Sequence, residues 1–157
     1  MKLPRRRLAQ LLLAGATVGV PLGTVLMPAA GRAQRIFAEN GLAVRGTDVV
    51  AYFSEGRPVP GRAEFTHDWG GATWRFASAA NRDRFAADPA RYAPAYGGFC
   101  AYAVSEGYTA PIDPAAWRIV EGRLFLNYDR RTQRIWEGDI PGRIARADAN
   151  WPRLAAR

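Results

Sequence analysis

The two side chains best suited to chemistry in this sequence are its only cysteine, Cys100, and its only histidine, His67. A thiolate is a nucleophile and a soft metal ligand, and an imidazole binds metal ions or accepts a proton. Cys100 closely follows Gly97 and Gly98, whose bare backbone would let a ligand or a metal ion approach. The thiol has three interpretations: a buried apolar side chain, a ligand or redox group, and half of a disulfide with another chain.

His67 lies in an alternating segment, on the same side as Phe65 and Trp69. A histidine among aromatic side chains is more often packed and hydrogen-bonded than a metal ligand, and both roles stay open. A Cys100–His67 pair would suit nucleophilic catalysis if the two side chains met in space. No Asn or Asp can be singled out to orient such a pair, so the sequence favours a protein that is not an enzyme.

Tyrosines near the glycine pair could line a pocket. Tyr96 and Tyr102 lie on either side of Gly97 and Gly98, and Tyr52 and Tyr108 are further candidates. Core packing is the alternative, because a tyrosine buries its ring readily while its hydroxyl reaches a partner. Three aspartates lie in or near predicted turns, where capping explains them without catalysis: Asp48, Asp113 and Asp129.

The first 33 residues have the order of a cleavable secretory signal. Basic residues that include Arg5 and Arg6 come first, an apolar stretch follows over residues 11–30, and Gly31 and Ala33 suit a signal peptidase. The arginine run is typical of the twin-arginine route, which predicts a periplasmic protein. A retained membrane anchor is the alternative. Prolines in the apolar stretch and the small residues after it favour cleavage, which would leave no membrane span.

Removal of this signal limits both partners and cofactors. Of the 22 basic residues 17 remain against 14 acidic ones, so the net charge falls from +8 to +3. Without a basic block, nucleic-acid binding is not expected. With one histidine, one cysteine and no methionine, the remaining chain lacks the ligands of a blue-copper site, a four-ligand zinc site, haem c or an iron–sulfur cluster. A metal site would have to be sparse, assisted by carboxylates or shared between chains.

The elements that position these side chains are predicted to be two β-hairpins and several short helices. Two pairs of alternating runs, each joined by a glycine-containing turn, predict the hairpins: 63–69 with 72–76, and 116–120 with 123–128. Apolar spacing and capping residues predict three helices: 79–87, 130–137 and 140–149. Residues 99–104 fit either a helix or a strand. Residues 34–40 read as a tether, and 41–152 as one small α+β domain.

Two short motifs carry a family resemblance. Trp74-Arg75-Phe76-Ala77-Ser78 ends the first hairpin, and Phe85-Ala86-Ala87-Asp88-Pro89-Ala90-Arg91-Tyr92 follows it. With the residues around them, over 41–94, they resemble the YHS domain, a small module related to the metal-binding TRASH domains. When 97–104 and 112–117 are included, nearly the whole chain after the signal resembles the exported YHS-domain proteins of bacteria.

The chain departs from this family at the positions that would bind metal. The resemblance implies cysteines in the strand–helix junction, where this chain has Ala77 and Asn81. It also implies a cysteine in an opening motif that residues 46–53 replace. Alanine cannot be a ligand, and an asparagine amide is a poor substitute for a thiolate with soft metals. The resemblance therefore implies that the frame is kept while the ligand chemistry is lost or moved to Cys100.

These observations lead to an exported YHS-like binding module for a soft metal ion, such as copper or zinc, or for a small ligand. Cys100 would supply the thiolate, and His67 and the nearby tyrosines could assist. The alternative is a structural or partner-binding accessory domain, not an enzyme, whose cysteine is buried. A thiol-dependent enzyme is the third interpretation. The partner would then be a metal ion or another protein, and not a nucleic acid.

Overall fold

The computed structural model describes residues 35–157 and confirms the predicted α+β class, with two hairpins and short packed helices. The strands are β1 (Ala38–Glu39), β2 (Leu42–Ala43), β3 (Arg62–Trp69), β4 (Ala72–Phe76), β5 (Asp113–Val120) and β6 (Arg123–Asn127). The helices are α1 (Val49–Ser54), α2 (Ala79–Ala87), α3 (Pro89–Tyr92), α4 (Ala101–Ser105), α5 (Arg130–Glu137) and α6 (Ile140–Ala155). The predicted signal, with Arg5 and Arg6, lies outside the described residues.

The strands form two sheets. In the first, β1, β2, β4 and β3 lie side by side in that order, with β2 and β4 parallel and the other pairs antiparallel. The second sheet is the antiparallel pair β5 and β6. Both predicted hairpins are therefore confirmed. The first joins a larger sheet through β4, and the second stands alone as a two-stranded ribbon.

Tight turns with positive φ at both central residues connect the paired strands. They lie at residues 40–41, 70–71 and 121–122. This geometry is that of a type I′ turn, which matches the right-handed twist of the flanking strands. Glycine occupies the second position each time, where φ is 78° at Gly41, 80° at Gly71 and 75° at Gly122. The sequence therefore favours hairpins at these three points through backbone freedom as much as through apolar alternation.

Side-chain caps fix where several helices begin. Asp48, Ser78 and Asp129 accept hydrogen bonds from backbone N–H groups at the starts of α1, α2 and α5. Such caps satisfy donors that have no partner inside the helix. The capping interpretation of Asp48 and Asp129 is confirmed. Asp113 instead begins strand β5, where its carboxyl group accepts from the N–H of Ala115 at 2.9 Å.

Two helical segments differ from the sequence-based expectation. Residues 99–104, left open between helix and strand, include the short helix α4. The terminal helix, predicted over 140–149 with its end near Trp151-Pro152, continues to Ala155 and passes through Pro152. Proline removes one backbone donor, but Leu154, two residues further on, is buried in the core and adds apolar packing to this end of the helix.

Residues 35–40, predicted as part of a tether, pack against the domain. Phe37 is buried, and its backbone N–H donates to the carbonyl of Gly97 at 2.9 Å. The guanidinium of Arg35 donates to the carbonyl of Leu154 at 3.0 Å and lies 4.9 Å from the ring centre of Phe99. The sequence signal for this arrangement is Asn40-Gly41, a strong hairpin dipeptide that joins β1 to β2.

The buried apolar side chains form two neighbouring clusters. The first lies between the four-stranded sheet and the helices, and includes Trp74, Phe85 and Cys100. The second lies between β6 and helices α5 and α6, around Phe125 and Trp136. Of the helices in residues 35–157, none is long and apolar enough to cross a membrane. Cys100 thus belongs to the core, close to the surface that helices α4 and α5 form with β6.

Candidate functional site

Cys100 occupies the N-cap position of α4, and its sulfur is held on two sides. The backbone N–H of Tyr128 donates to the Cys100 Sγ at 3.2 Å. The Sγ lies 3.7 Å from the Oδ1 of Asn127, within reach for the thiol to donate to that oxygen. The side chain of Cys100 is almost fully buried, with 1% exposed. The fold therefore presents the sulfur as a hydrogen-bonded group at the end of strand β6.

Burial is the largest influence on the pKa of this thiol. Removal from water raises the pKa of Cys100 above its usual value, and the negative charge of Asp129 adds to that effect. Hydrogen bonds from the backbone N–H groups of Ala103, Tyr128 and Tyr102 oppose it and lower the pKa by a smaller amount. The group at neutral pH is consequently the thiol, and the soft thiolate donor is disfavoured.

Asn127 is the buried polar partner of this site. Its Oδ1 accepts the backbone N–H of Tyr102 at 3.1 Å as well as the contact from Cys100. Because a backbone N–H needs an acceptor, this bond fixes which way round the amide lies. The Nδ2 of Asn127 is then buried without a hydrogen-bond partner among the described residues. An unpaired buried donor costs stability, and this one lies inside the fold, because Asn127 is fully buried and does not line the pocket beside Cys100.

A pocket of about 270 Å³ opens beside the sulfur of Cys100. Its remaining lining is Tyr102, Ala103, Tyr108, Ala110, Tyr128, Thr132 and Ile135. Large apolar side chains are exposed at three positions in the described part of the chain: Tyr108, Tyr128 and Ile135. All three lie around this one pocket. The lining contains no charged side chain, so the pocket is an apolar cleft with hydroxyl groups and one buried thiol. We call it the Cys100 pocket.

The predicted pocket around the glycine pair is arranged differently. Tyr102 does line the Cys100 pocket, and so does Tyr108. Gly97 instead faces the backbone of residues 35–36, and a Cβ there would collide with the carbonyl oxygen of Arg35. A Cβ on Gly98 would lie 3.2 Å from side-chain atoms of Pro94 and Val44. The bare backbone therefore admits another segment of the same chain at this point.

The other tyrosine candidates donate their hydroxyls inside the fold. Tyr52 bonds the carbonyl of Pro114 at 2.7 Å. Tyr96 bonds the carboxylate of Asp148 at 2.9 Å, and that carboxylate also accepts two bonds from Arg123. Burial raises the pKa of both hydroxyls, and Asp148 raises that of Tyr96 further. Tyr96 also lines a second cavity of about 300 Å³. Among the charged side chains of its lining, Arg123 and Asp148 pair with each other, and Arg91 is the third.

His67 lies on β3, where it is paired with Trp74 of β4 and half-buried. Its ring meets the ring of Phe85 edge to face, with 6.0 Å between the centres. The structure gives it no hydrogen bond or ring contact with the residues of the Cys100 pocket. Within residues 35–157, no three His, Cys, Asp or Glu side chains cluster closely enough to hold a metal ion. The arrangement of His67 fits the packed interpretation.

The positions at which the family resemblance implied metal ligands do meet in space, around Asp48. Its Oδ1 accepts the N–H groups of Val50 and Ala51, at 2.9 and 3.2 Å. Its Oδ2 accepts the N–H of Ala77 and the Nδ2 of Asn81, each at 2.8 Å. Four donors satisfy the capacity of this fully buried carboxyl group. The residues therefore do not fit a metal ion here, because a hydrogen-bonded carboxyl group joins α1 to the β4–α2 junction instead.

Sequence reasoning missed Asn127, Tyr128 and Ile135 as site residues. Asn127 and Tyr128 are separated from Cys100 by more than 25 residues in the sequence, and they contact it because β6 packs against α4. Ile135 gave one usable signal, since it is a large apolar residue on a helix that is otherwise polar on its outer side. Nothing in its spacing connects it to the cysteine.

Comparison with known protein families identifies a YHS domain at residues 50–96. This range runs from α1 through the β3–β4 hairpin and α2 to the turn before Gly97. Searches among curated proteins and among solved structures gave no match. Cys100 and the rest of its pocket lie after the matched range, so the pocket is built by the segment that follows the YHS domain.

Proposed function

We propose that this chain is an exported binding module in which a YHS domain supports the Cys100 pocket, and that this pocket binds a small organic molecule. The observation that carries the proposal is the convergence of exposed apolar side chains. Tyr108, Tyr128 and Ile135 surround a cleft of about 270 Å³ that has a buried thiol at its inner end. Small-molecule sites are typically concave and mostly apolar, with a few polar groups that fix orientation.

The donor set around the pocket favours an organic ligand over a metal ion. The YHS domain is a family of metal-binding modules, and metal binding was the first interpretation of Cys100. A metal site needs several ligands, whereas within residues 35–157 no three His, Cys, Asp or Glu side chains come close enough to hold a metal ion. The polar groups of the lining besides the thiol are tyrosine and threonine hydroxyls. These hydroxyls donate and accept hydrogen bonds to an organic molecule.

The alternative function, an accessory domain with a merely buried cysteine, has one observation in its favour. The Cys100 sulfur has 1% exposure and two hydrogen-bonding neighbours, as a structural cysteine would. The two functions differ in whether the sulfur can be reached through the pocket without unfolding. Export remains part of the proposal on the strength of residues 1–33 alone.

The test is the rate at which N-ethylmaleimide, a small neutral reagent, labels Cys100 in the folded protein at pH 8.5. We expect slow labelling, because the pKa of the thiol is raised, yet labelling faster than global unfolding allows. Ile135→Trp places a larger ring at the mouth of the pocket from an exposed position and should slow labelling about ten-fold. The control Ala145→Trp, on an exposed position of α6, should leave the rate unchanged.

Two results would overturn the proposal. If the native protein is labelled only at the rate of global unfolding, the sulfur cannot be reached through the pocket. The alternative function, an accessory domain with a buried thiol, would then be supported. Equal labelling of the two tryptophan variants would mean that reagent reaches the sulfur by a route other than the pocket. Thermal unfolding of each variant, followed by circular dichroism, establishes that the labelling rates compare folded proteins.

A further inference from the structure

Helix α5, which forms one wall of the Cys100 pocket, carries three arginines on its exposed side. Arg130, Arg131 and Arg134 are exposed. Within the described residues none of them forms an ion pair, whereas eight other arginines do. The same helix supplies Thr132 and Ile135 to the lining of the pocket. The same short helix therefore supplies part of the apolar wall of the pocket and three positive charges that have no ion-pair partner among residues 35–157.

Helical spacing places the charge at the edge of the pocket. Residues four apart lie on the same face of a helix, one turn from each other. Arg131 is therefore adjacent to Ile135, whereas Arg134 lies about 100° around the helix from Ile135 and farther from the pocket. Long arginine side chains extend over neighbouring apolar surface while their guanidinium groups stay in water. The guanidinium of Arg131 can accordingly lie over the mouth of the pocket, next to Ile135.

The negative charges near this edge offset the arginines only in part. Asp129 caps α5, and its carboxylate accepts the backbone N–H of Thr132 at 2.6 Å. That hydrogen bond and the charge of Arg131 lower the pKa of Asp129, so Asp129 is ionised and offsets one of the three positive charges of α5. Glu106 is paired with Arg143, whose guanidinium lies 4.4 Å from the ring centre of Tyr102. An excess of positive charge remains on the α5 side.

We infer that the ligand of the Cys100 pocket is a small anionic amphiphile: an aromatic or short alkyl group with one carboxylate or similar acidic group. This inference rests on the proposed function. The apolar part occupies the uncharged cleft beside the thiol, and the acidic group meets Arg131 at its mouth, while Arg134 adds positive charge at longer range. Arginine suits this task because its planar guanidinium binds a carboxylate through two parallel hydrogen bonds. A metal ion or an organic cation would be repelled by the same surface.

The test compares two probes of nearly the same shape, 2-naphthoate and 2-naphthamide, which differ in charge. Binding is measured by titration calorimetry and by protection of Cys100 from N-ethylmaleimide. We expect both probes to protect the thiol, and the carboxylate to bind about five-fold more tightly at low ionic strength. The preference should disappear in 0.5 M salt, because exposed charges are then screened. It should also disappear in the double variant Arg131→Gln, Arg134→Gln.

The control is the double variant Arg84→Gln, Arg91→Gln, which removes the same net charge from two exposed arginines that also lack an ion pair. Loss of the preference in both double variants would overturn the inference in favour of a general charge effect. Equal affinity of the two probes for the unaltered protein would overturn the inference as well, but it would still be consistent with the proposed binding pocket. If neither probe binds or protects Cys100, the proposed function fails together with the inference.

Discussion

Two influences oppose each other at the sulfur of Cys100. Burial favours the neutral thiol, and three backbone N–H groups favour the thiolate. Burial is the larger effect, so the thiol can donate to Asn127 while it accepts from Tyr128. A cysteine held in this way is slow to oxidise and slow to bind metal, because both reactions proceed through the thiolate. If the protein is exported as proposed, the geometry of the pocket explains how Cys100 can stay a free thiol outside a reducing compartment.

Asp48 shows how one residue can take over the role of a structural ligand. Asp48→Asn keeps the size of the side chain but replaces an acceptor with a second donor, which would face the N–H groups of Ala77 and Asn81. We expect the free energy of unfolding to fall by about 2–4 kcal/mol, because buried donors lose their acceptor. Urea denaturation measures this as a lower midpoint at constant slope.

The matched control for this change is Asp83→Asn on the exposed side of α2, which should alter the free energy of unfolding by less than about 0.5 kcal/mol. A similar loss in both variants would mean that the bonds to Asp48 do not hold α1 to the β4–α2 junction. The identity of Asp48 as a cap was predictable, since it precedes an apolar run. Its bonds to Ala77 and Asn81 were not, because they join positions about 30 residues apart.

At the level of elements, the amino-acid pattern predicts local structure well and packing poorly. The hairpins β3–β4 and β5–β6 and helices α2 and α5 follow from alternation, turn glycines and caps, which act within a few residues. Strand β1 falls within residues 34–40, predicted as a tether, although Asn40-Gly41 is a hairpin signal, because strands of two residues each show no alternation. The contact between α4, α5 and β6 that makes the pocket depends on tertiary packing, for which single-sequence periodicity carries no information.

The contact of the N-terminal segment with the turn at residues 95–98 can be tested at Gly97. Gly97→Ala places a methyl group against the carbonyl of Arg35 at a residue whose φ is +62°. Gly122→Ala is the matched control, with φ of +75° and no atom within 4 Å of the new methyl. Each variant should lose about 1 kcal/mol from backbone conformation. We expect Gly97→Ala to lose about 2 kcal/mol more, since Phe37 must move away from the core.

Amide hydrogen exchange distinguishes the cause of that additional loss. The N–H of Phe37, which donates to Gly97, should exchange faster in Gly97→Ala and at the normal rate in Gly122→Ala. Equal destabilisation and unchanged exchange in the two variants would contradict the idea that this glycine exists to admit the N-terminal segment.

The molecule as a whole has an unusual set of ionisable groups, because residues 35–157 contain arginine but no lysine. Arginine keeps its charge up to very high pH. Cysteine and tyrosine are therefore the side-chain types of this part of the chain whose ordinary pKa values lie between about 8 and 12. Burial raises the pKa of Cys100, Tyr52 and Tyr96, so the folded state resists their ionisation while the unfolded chain does not. The response of this protein to alkali consequently reports on its buried hydroxyls and thiol.

We expect the free energy of unfolding to be nearly constant from pH 7 to 8 and to fall as the pH rises. A raised pKa in the folded state contributes stability that is complete below the unfolded-state pKa and is lost above it. For Tyr52 the loss begins near pH 10, the ordinary tyrosine value, and has a slope of up to about 1.4 kcal/mol per pH unit. Urea denaturation at several pH values measures it. Tyr52→Phe should flatten the slope, whereas Tyr108→Phe, at an exposed position, should not. An unchanged slope in Tyr52→Phe would mean that its hydroxyl is as free to ionise in the fold as in the unfolded chain, contrary to its burial against the carbonyl of Pro114.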